Sequence, residues 1–130
     1  MAFYLDTSAA AKLVVAEAGS AAMASWAAAH EGQVVSGDLL RTELLRATRR
    51  GAPKQMQRAR AVLDALTLMS VPATTFERAG DLGPEELRSL DALHLALALE
   101  LGDELDGIVT YDERLAEGAA LHGVEVIAPT

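Results

Sequence analysis

The chain of 130 residues is long enough for one domain with a single hydrophobic core and too short for two. It contains no cysteine, which excludes disulfides and zinc sites built on thiolates. Nineteen acidic residues outnumber eleven Lys and Arg, and the resulting net charge of −8, taken alone, argues against binding to nucleic acid phosphates.

The first five residues are mostly apolar and are followed by a carboxylate. Such a run predicts a strand buried on both faces of a parallel sheet, ending at Asp6. Thr7 and Ser8 are predicted to cap the helix that follows. Because open α/β folds bind ligands at the carboxyl ends of their strands, Asp6 is a candidate site residue. Its alternative role is that of a simple helix cap.

The rest of the chain alternates between extended and helical patterns. Further strands are predicted at residues 33–36, 68–71, 106–110 and 124–127. Helices are predicted at residues 9–15, 21–30, 39–50, 54–66, 74–82, 90–101 and 113–122, with Ser20 and Ser89 as caps of two of them. This alternation predicts an α/β fold in one domain, residues 1–130, with a parallel β-sheet flanked by helices on both faces and right-handed crossovers.

Glu43 lies in the predicted helix after the second strand. Its ordinary role would be a surface ion pair with Arg46, three residues later. Seven of the eleven Lys and Arg lie within residues 41–60. Because Arg46, Arg49 and Arg50 share a helix with Glu43, they are candidates to guide nucleic acid phosphates, and a solvated basic face is the alternative.

Asp91 stands in a helix that is apolar nearly all round. Residues 90–99 read Leu-Asp-Ala-Leu-His-Leu-Ala-Leu-Ala-Leu, and this composition predicts burial. An unpaired carboxylate in such surroundings costs on the order of several kcal/mol. The positive end of its own helix supplies only part of the compensation, so Asp91 requires a cation or a proton.

Asp112 follows the predicted strand at residues 106–110 and, like Asp6, could be a helix cap. The predicted fold brings Asp112, Asp6 and Asp91 to one edge, and Glu43 joins them from its helix. Carboxylates gathered in this way repel each other unless a cation intervenes. With oxygen ligands and no cysteine, the expected cation is Mg²⁺ or Mn²⁺, which activates water and neutralises phosphodiester charge. The sequence therefore predicts a divalent metal site.

Four short stretches resemble the motifs of PIN-domain nucleases, and specifically those of VapC-type toxins from bacterial toxin–antitoxin pairs. Their order and separation follow that family over essentially the whole chain. The stretches are residues 5–8 (Leu-Asp-Thr-Ser), 42–47 (Thr-Glu-Leu-Leu-Arg-Ala), 90–96 (Leu-Asp-Ala-Leu-His-Leu-Ala) and 110–115 (Thr-Tyr-Asp-Glu-Arg-Leu). All the acids of the family pattern are present, so the resemblance implies an active member.

This resemblance implies a parallel sheet between helices and a Mg²⁺- or Mn²⁺-dependent endoribonuclease. It also implies RNA as the substrate, a homodimer, and inhibition by a cognate VapB-like antitoxin. The hydroxyl of Thr7 or Ser8, and that of Thr110, are expected beside the metal. The acids expected to hold the metal and to carry catalysis are Asp6, Glu43, Asp91 and Asp112.

His94 lies one turn after Asp91 and could face the same site. A histidine on an apolar helix is more often packed and hydrogen-bonded than catalytic. We therefore expect His94 to be a core residue.

Two other classes of function stay open. Haloacid-dehalogenase phosphatases and receiver domains also end their first strand on Asp, but the phosphatases require a second Asp where Ser8 stands, and receivers require a late lysine, whereas none follows Lys54. A PIN domain that only binds other proteins is the remaining possibility. No stretch approaches the ~18 apolar residues of a membrane span, and no basic region precedes the first apolar run, so a cytoplasmic protein is expected.

Overall fold

A computed structural model describes residues 1–130 and consists of a five-stranded sheet with seven α-helices. The strands are β1 (Ala2–Leu5), β2 (Val34–Gly37), β3 (Thr67–Met69), β4 (Leu105–Val109) and β5 (Val126–Ile127). The helices are α1 (Thr7–Lys12), α2 (Ser20–Ala29), α3 (Leu39–Gly51), α4 (Met56–Ala65), α5 (Ala73–Asp81), α6 (Ser89–Leu99) and α7 (Glu113–Leu121). No helix has both the length and the apolar content needed to cross a membrane.

The sheet is parallel throughout, with the strand order β3-β2-β1-β4-β5. β1 is the central strand, where Phe3 pairs with Val34 of β2 and Tyr4 pairs with Ile108 of β4. The chain first builds the sheet to one side of β1 and then returns to add β4 on the other side. A reversal of this kind opens a crevice at the carboxyl ends of the two strands concerned, and such crevices bind ligands in open α/β folds.

Helices cover both faces of the sheet, because successive side chains of a strand point to opposite faces. Leu5 and Val109 belong to a buried cluster with side chains of α1 to α4, including Leu44. Tyr4 and Ile108 point the other way and pack with side chains of α6 and α7. α5 completes that second layer by packing small residues against α6. The predicted α/β fold with two helical layers is confirmed.

The first helix begins two residues earlier than predicted. Asp6, and not Thr7 or Ser8, is the N-cap of α1, because its extended backbone lets the side chain accept a hydrogen bond from the Ala9 N–H. The prediction that Thr7 and Ser8 cap this helix is therefore wrong. Both residues lie inside the first turn, where their hydroxyls are free to make other contacts.

The two other predicted serine caps also lie inside their helices. Gly19, at a φ of +86°, takes the N-cap position of α2, because glycine adopts this left-handed conformation at little cost. The Ser20 hydroxyl instead donates to the Val15 carbonyl. Arg88 precedes α6, so Ser89 is the first residue of that helix. These corrections move boundaries by one or two residues and leave the order of elements unchanged.

Candidate active site

Asp6 lies at the carboxyl end of β1 and is only 3% exposed. Its Oδ1 accepts hydrogen bonds from the Ser8 hydroxyl at 2.7 Å and from the Ala9 N–H at 3.0 Å. Its Oδ2 accepts one from the Thr110 hydroxyl at 2.6 Å. Burial raises the pKa of Asp6 above its ordinary value, even though these hydrogen bonds act in the opposite direction. Asp6 is thus a buried carboxylate that three donors hold in one orientation.

The hydroxyls of Ser8 and Thr110 reach Asp6 from two different segments of the chain. The Ser8 hydroxyl accepts a hydrogen bond from the Tyr111 N–H at 2.9 Å, and the Thr110 hydroxyl accepts one from the Asp112 N–H at 3.0 Å. Since backbone donors fill their acceptor positions, both hydroxyls direct their own protons to the carboxylate. This arrangement ties the segment after β4 to the first turn of α1.

Asp112 is the N-cap of α7. Its Oδ1 accepts a hydrogen bond from the Leu115 N–H at 3.0 Å, so the capping role considered from the sequence is real. Its Oδ2 makes no hydrogen bond within the chain and is available to a ligand. The residue is partly buried and follows β4, the strand next to β1.

Asp91 lies in the first turn of α6, as expected, and makes no hydrogen bond within the chain. Burial is the main cause that raises its pKa above the ordinary value, and the negative charges of Asp112, Asp6 and Glu43 raise it further. These charges act on Asp91 only because the fold brings the four carboxylates to the same edge of the sheet.

Glu43 does not form the surface ion pair with Arg46 that the sequence favoured. Its Oε1 lies 2.7 Å from Nε2 of His94, and its side chain is 19% exposed. The contact joins α3 to α6, which belong to different helical layers. Glu43 therefore faces inward toward the other acids, whereas Arg46 is exposed to solvent.

His94 is buried, with 2% exposure, and is hydrogen-bonded, as expected for a core histidine. Its Nδ1 lies 2.8 Å from the Tyr4 hydroxyl, opposite the nitrogen that contacts Glu43. The Thr7 hydroxyl, at 3.3 Å from Nε2, also reaches the imidazole. Sequence reasoning did not single out Tyr4, although a tyrosine in a fully buried central strand requires a partner for its hydroxyl.

The side chains fit a divalent cation in their chemistry. Every charged donor at this edge is a carboxylate, as Mg²⁺ prefers, and the raised pKa values of Asp6 and Asp91 reflect an excess of negative charge. As the side chains stand, no three Asp, Glu or His groups are close enough to bind one ion together. Mg²⁺ commonly keeps several waters and uses one or two carboxylates directly, so this spacing suits binding partly through water.

An open cavity of about 410 Å³ adjoins Asp91 and Asp112. Arg88 and Arg114 also line it, and neither was a candidate from the sequence. A larger cavity of about 540 Å³ lies between α5 and α6, but it contains none of the four acids. The smaller cavity is therefore the one through which a substrate can reach the acids.

The three arginines proposed for RNA contact are exposed along α3. None of them forms an ion pair, unlike Arg41 of the same helix, which pairs with Asp38 at 3.1 Å. The guanidinium groups of Arg46, Arg49 and Arg50 are therefore open to solvent and to an anionic ligand.

Solved structures of two toxin systems share this fold. VapC20 of Mycobacterium tuberculosis, described as a sarcin-ricin loop cleaving toxin, matches with a TM-score of 0.80 at 18% identity, over 98% of this chain and 100% of that one. A toxin–antitoxin complex from Klebsiella pneumoniae contains a chain that matches with a TM-score of 0.74 at 21% identity, over 100% of this chain and 98% of that one. At these identities the likeness concerns the fold.

Similarity in sequence reaches further. Ribonuclease VapC47 of Mycobacterium tuberculosis (strain CDC 1551 / Oshkosh) is 39% identical over 130 residues, covering 97% of this chain and 96% of the relative. Ribonuclease VapC46 of strain ATCC 25618 / H37Rv is 40% identical over 129 residues, covering 99% and 98%. The PIN domain profile matches residues 3–121. The chain therefore belongs to the PIN-domain family and, within it, to the VapC-type proteins.

Proposed function

We propose that this protein is a metal-dependent endoribonuclease and the toxin of a VapBC-like type II toxin–antitoxin pair. The single observation that carries the proposal is the buried Asp6 carboxylate at the crevice between β1 and β4, with Asp91 close enough for the charges of the other acids to raise its pKa. The names of two relatives at about 40% identity, both called ribonucleases, support the same activity.

In this proposal Asp6, Glu43, Asp91 and Asp112 hold one or two Mg²⁺ or Mn²⁺ ions, directly or through water. A bound ion of this kind supplies a Lewis acid for the phosphodiester and lowers the pKa of water. The protein contributes orientation, because Ser8 and Thr110 fix the Asp6 carboxylate by hydrogen bonds at 2.7 and 2.6 Å. It needs no nucleophilic side chain of its own.

The direct test is RNA cleavage by the purified protein with and without divalent cations. We expect cleavage in Mg²⁺ or Mn²⁺, complete loss in EDTA, and recovery when excess Mg²⁺ is added back. Sequencing RNA ends after induced expression in cells supplies the target for this assay. Cleavage that persists in EDTA would contradict the metal-dependent mechanism, and absence of Mn²⁺ binding in calorimetry at millimolar concentration would favour a PIN domain that only binds proteins.

The three exposed arginines of α3 are proposed to contact RNA phosphates outside the metal site. Replacing Arg46, Arg49 and Arg50 together by Ala should weaken RNA binding and flatten its salt dependence by roughly 0.7 logarithmic units per lost single-strand contact. Filter binding in EDTA over a salt series measures this without cleavage. Arg78→Ala is the matched control, because that exposed arginine already pairs with Glu100 at 2.9 Å. An unchanged slope in the triple variant would remove these residues from the interface.

The proposed partner is a cognate VapB-like antitoxin, and the proposed assembly is a homodimer in the cytoplasm. Membership among VapC-type proteins supports both proposals. A small antitoxin-like reading frame immediately upstream of the gene would identify the partner, and co-purification of its product with this chain would establish the pair.

A further inference from the structure

We propose that His94 is a positioning residue that holds the Glu43 carboxylate for metal binding, and that Tyr4 determines which ring nitrogen of His94 carries the proton. This inference rests on the proposed function, because it gives Glu43 a fixed orientation at the proposed metal site. His94 itself contacts no substrate in this scheme and acts only through Glu43.

The geometry joins three elements of the fold. The Tyr4 hydroxyl on β1 lies 2.8 Å from Nδ1 of His94 on α6, and Nε2 lies 2.7 Å from Oε1 of Glu43 on α3. Tyr4 has no exposed surface and His94 is 2% exposed, so water does not compete for either contact. The chain of hydrogen bonds therefore runs from the centre of the sheet to a carboxylate at its edge.

The direction of each hydrogen bond follows from the chemistry of the groups. An ionised carboxylate only accepts hydrogen bonds, so Nε2 carries the hydrogen that points to Glu43. Burial raises the pKa of Tyr4 well above its ordinary value, so the phenol keeps its proton and can donate it to Nδ1. The Gly37 backbone and the Ser36 side chain also hydrogen-bond to the phenol oxygen. Tyr4 thereby selects the Nε2–H tautomer that Glu43 requires.

Glu43 needs such a partner because its side chain is long and comes from a helix on the opposite layer. A free glutamate has several rotamers, and ordering it costs conformational entropy. The contact with His94 orders the side chain before any ion binds. Loss of a partner that orients a ligand typically lowers metal affinity or activity about 10- to 100-fold.

Two substitutions at position 94 separate the hydrogen bond from packing. His94→Leu fills the space but donates nothing, whereas His94→Gln places an amide N–H where it can still donate to Glu43. His30→Leu is the matched control, since His30 is also partly enclosed but bonds to the Trp26 carbonyl at the end of α2. Circular dichroism and thermal melting establish that each variant folds.

Calorimetric titration with Mn²⁺ is the main measurement. We expect His94→Leu to lower Mn²⁺ affinity about 10- to 100-fold, His94→Gln to restore most of it, and His30→Leu to bind as the wild type does. In a Glu43→Ala background, His94→Leu should have no further effect. Equal Mn²⁺ affinity of His94→Leu and the wild type would overturn the inference, and so would a folded His94→Gln as weak as His94→Leu.

Nitrogen NMR of the metal-free protein, with ¹⁵N-labelled histidine, tests the role of Tyr4 directly. The His94 ring should show a protonated Nε2 and an unprotonated Nδ1, and Tyr4→Phe should shift the Nδ1 signal. A proton on Nδ1 alone in the wild type would overturn the assignment even if position 94 tolerated no leucine. A wild-type protein that neither binds Mn²⁺ nor cleaves RNA would instead refute the proposed function, and this inference with it.

Discussion

Asp91→Asn is expected to abolish RNA cleavage while the fold survives. Asp91 is the carboxylate without a hydrogen-bond partner in the chain, so its charge has no structural use that asparagine would fail to replace. Removing one electrostatic stabiliser from an active site commonly lowers the rate by roughly 10²- to 10³-fold. Cleavage of a labelled RNA in Mg²⁺ measures the loss. Asp64→Asn, an exposed acid of α4, is the control that should retain activity.

The same variant should be at least as stable as the wild type in EDTA at neutral pH. The pKa of Asp91 is raised by burial and by its acidic neighbours, so the folded state binds this proton more tightly than the unfolded state. Stability therefore falls as pH rises from the ordinary pKa through the raised one, and Asp91→Asn escapes this loss. Its advantage in melting temperature should shrink as the pH is lowered. A variant that melts well below the wild type at neutral pH would contradict this account.

Asp6→Asn should lose cleavage as well, with a smaller benefit to stability. Asparagine is as good an N-cap as aspartate, so α1 keeps its first turn. The amide, however, presents one oxygen where the carboxylate offers two, and the hydroxyls of Ser8 and Thr110 both donate to Asp6. Full activity of Asp6→Asn in EDTA would end the proposed mechanism.

Thr110→Val is expected to be the most damaging substitution of a residue with no charge. Thr110 is 1% exposed, and its hydroxyl both donates to Asp6 and accepts from the Asp112 N–H. Valine keeps the shape but leaves a buried carboxylate oxygen and a backbone N–H without this partner. Each unsatisfied group costs about 1–3 kcal/mol. Urea unfolding should register the loss of stability, and RNA cleavage should fall about 10- to 100-fold.

Thr48→Val is the matched control for that experiment. Thr48 is 2% exposed, but its hydroxyl donates to the Leu44 carbonyl of the same helix, a carbonyl that also lies within reach of the helical backbone. Its replacement should change stability little and leave cleavage intact. If Thr110→Val proved as mild as Thr48→Val, the hydroxyl at position 110 would not support Asp6.

The sheet and the places of the acids could be predicted because each depended on a local pattern. The apolar run before Asp6 and the strand before Asp112 announced two neighbouring strand ends, and parallel strands put such ends at one edge. Asp91 was recognisable because it interrupts an apolar helix. Burial of its surroundings is a property of composition, which the sequence displays directly.

The helix caps and the role of His94 could not be predicted with the same success. Asp6, Thr7 and Ser8 are all good N-caps, so local sequence does not choose among them. The choice depends on Thr110, which donates to Asp6 across a separation of 104 residues. The contacts of His94 are likewise distant in sequence, since Glu43 lies 51 residues away from it. Only the folded chain brings such partners together.

The hydrogen bond between Asp6 and Thr110 has a consequence for synthesis of the protein. The first carboxylate of the site leaves the ribosome early, but two of its supports come from β4 and the residues after it, near the end of the chain. Nascent chains that stop short of Asp112 lack both the central neighbour of β1 and the last acid. A ribosome making this protein is therefore shielded from it until translation is nearly complete.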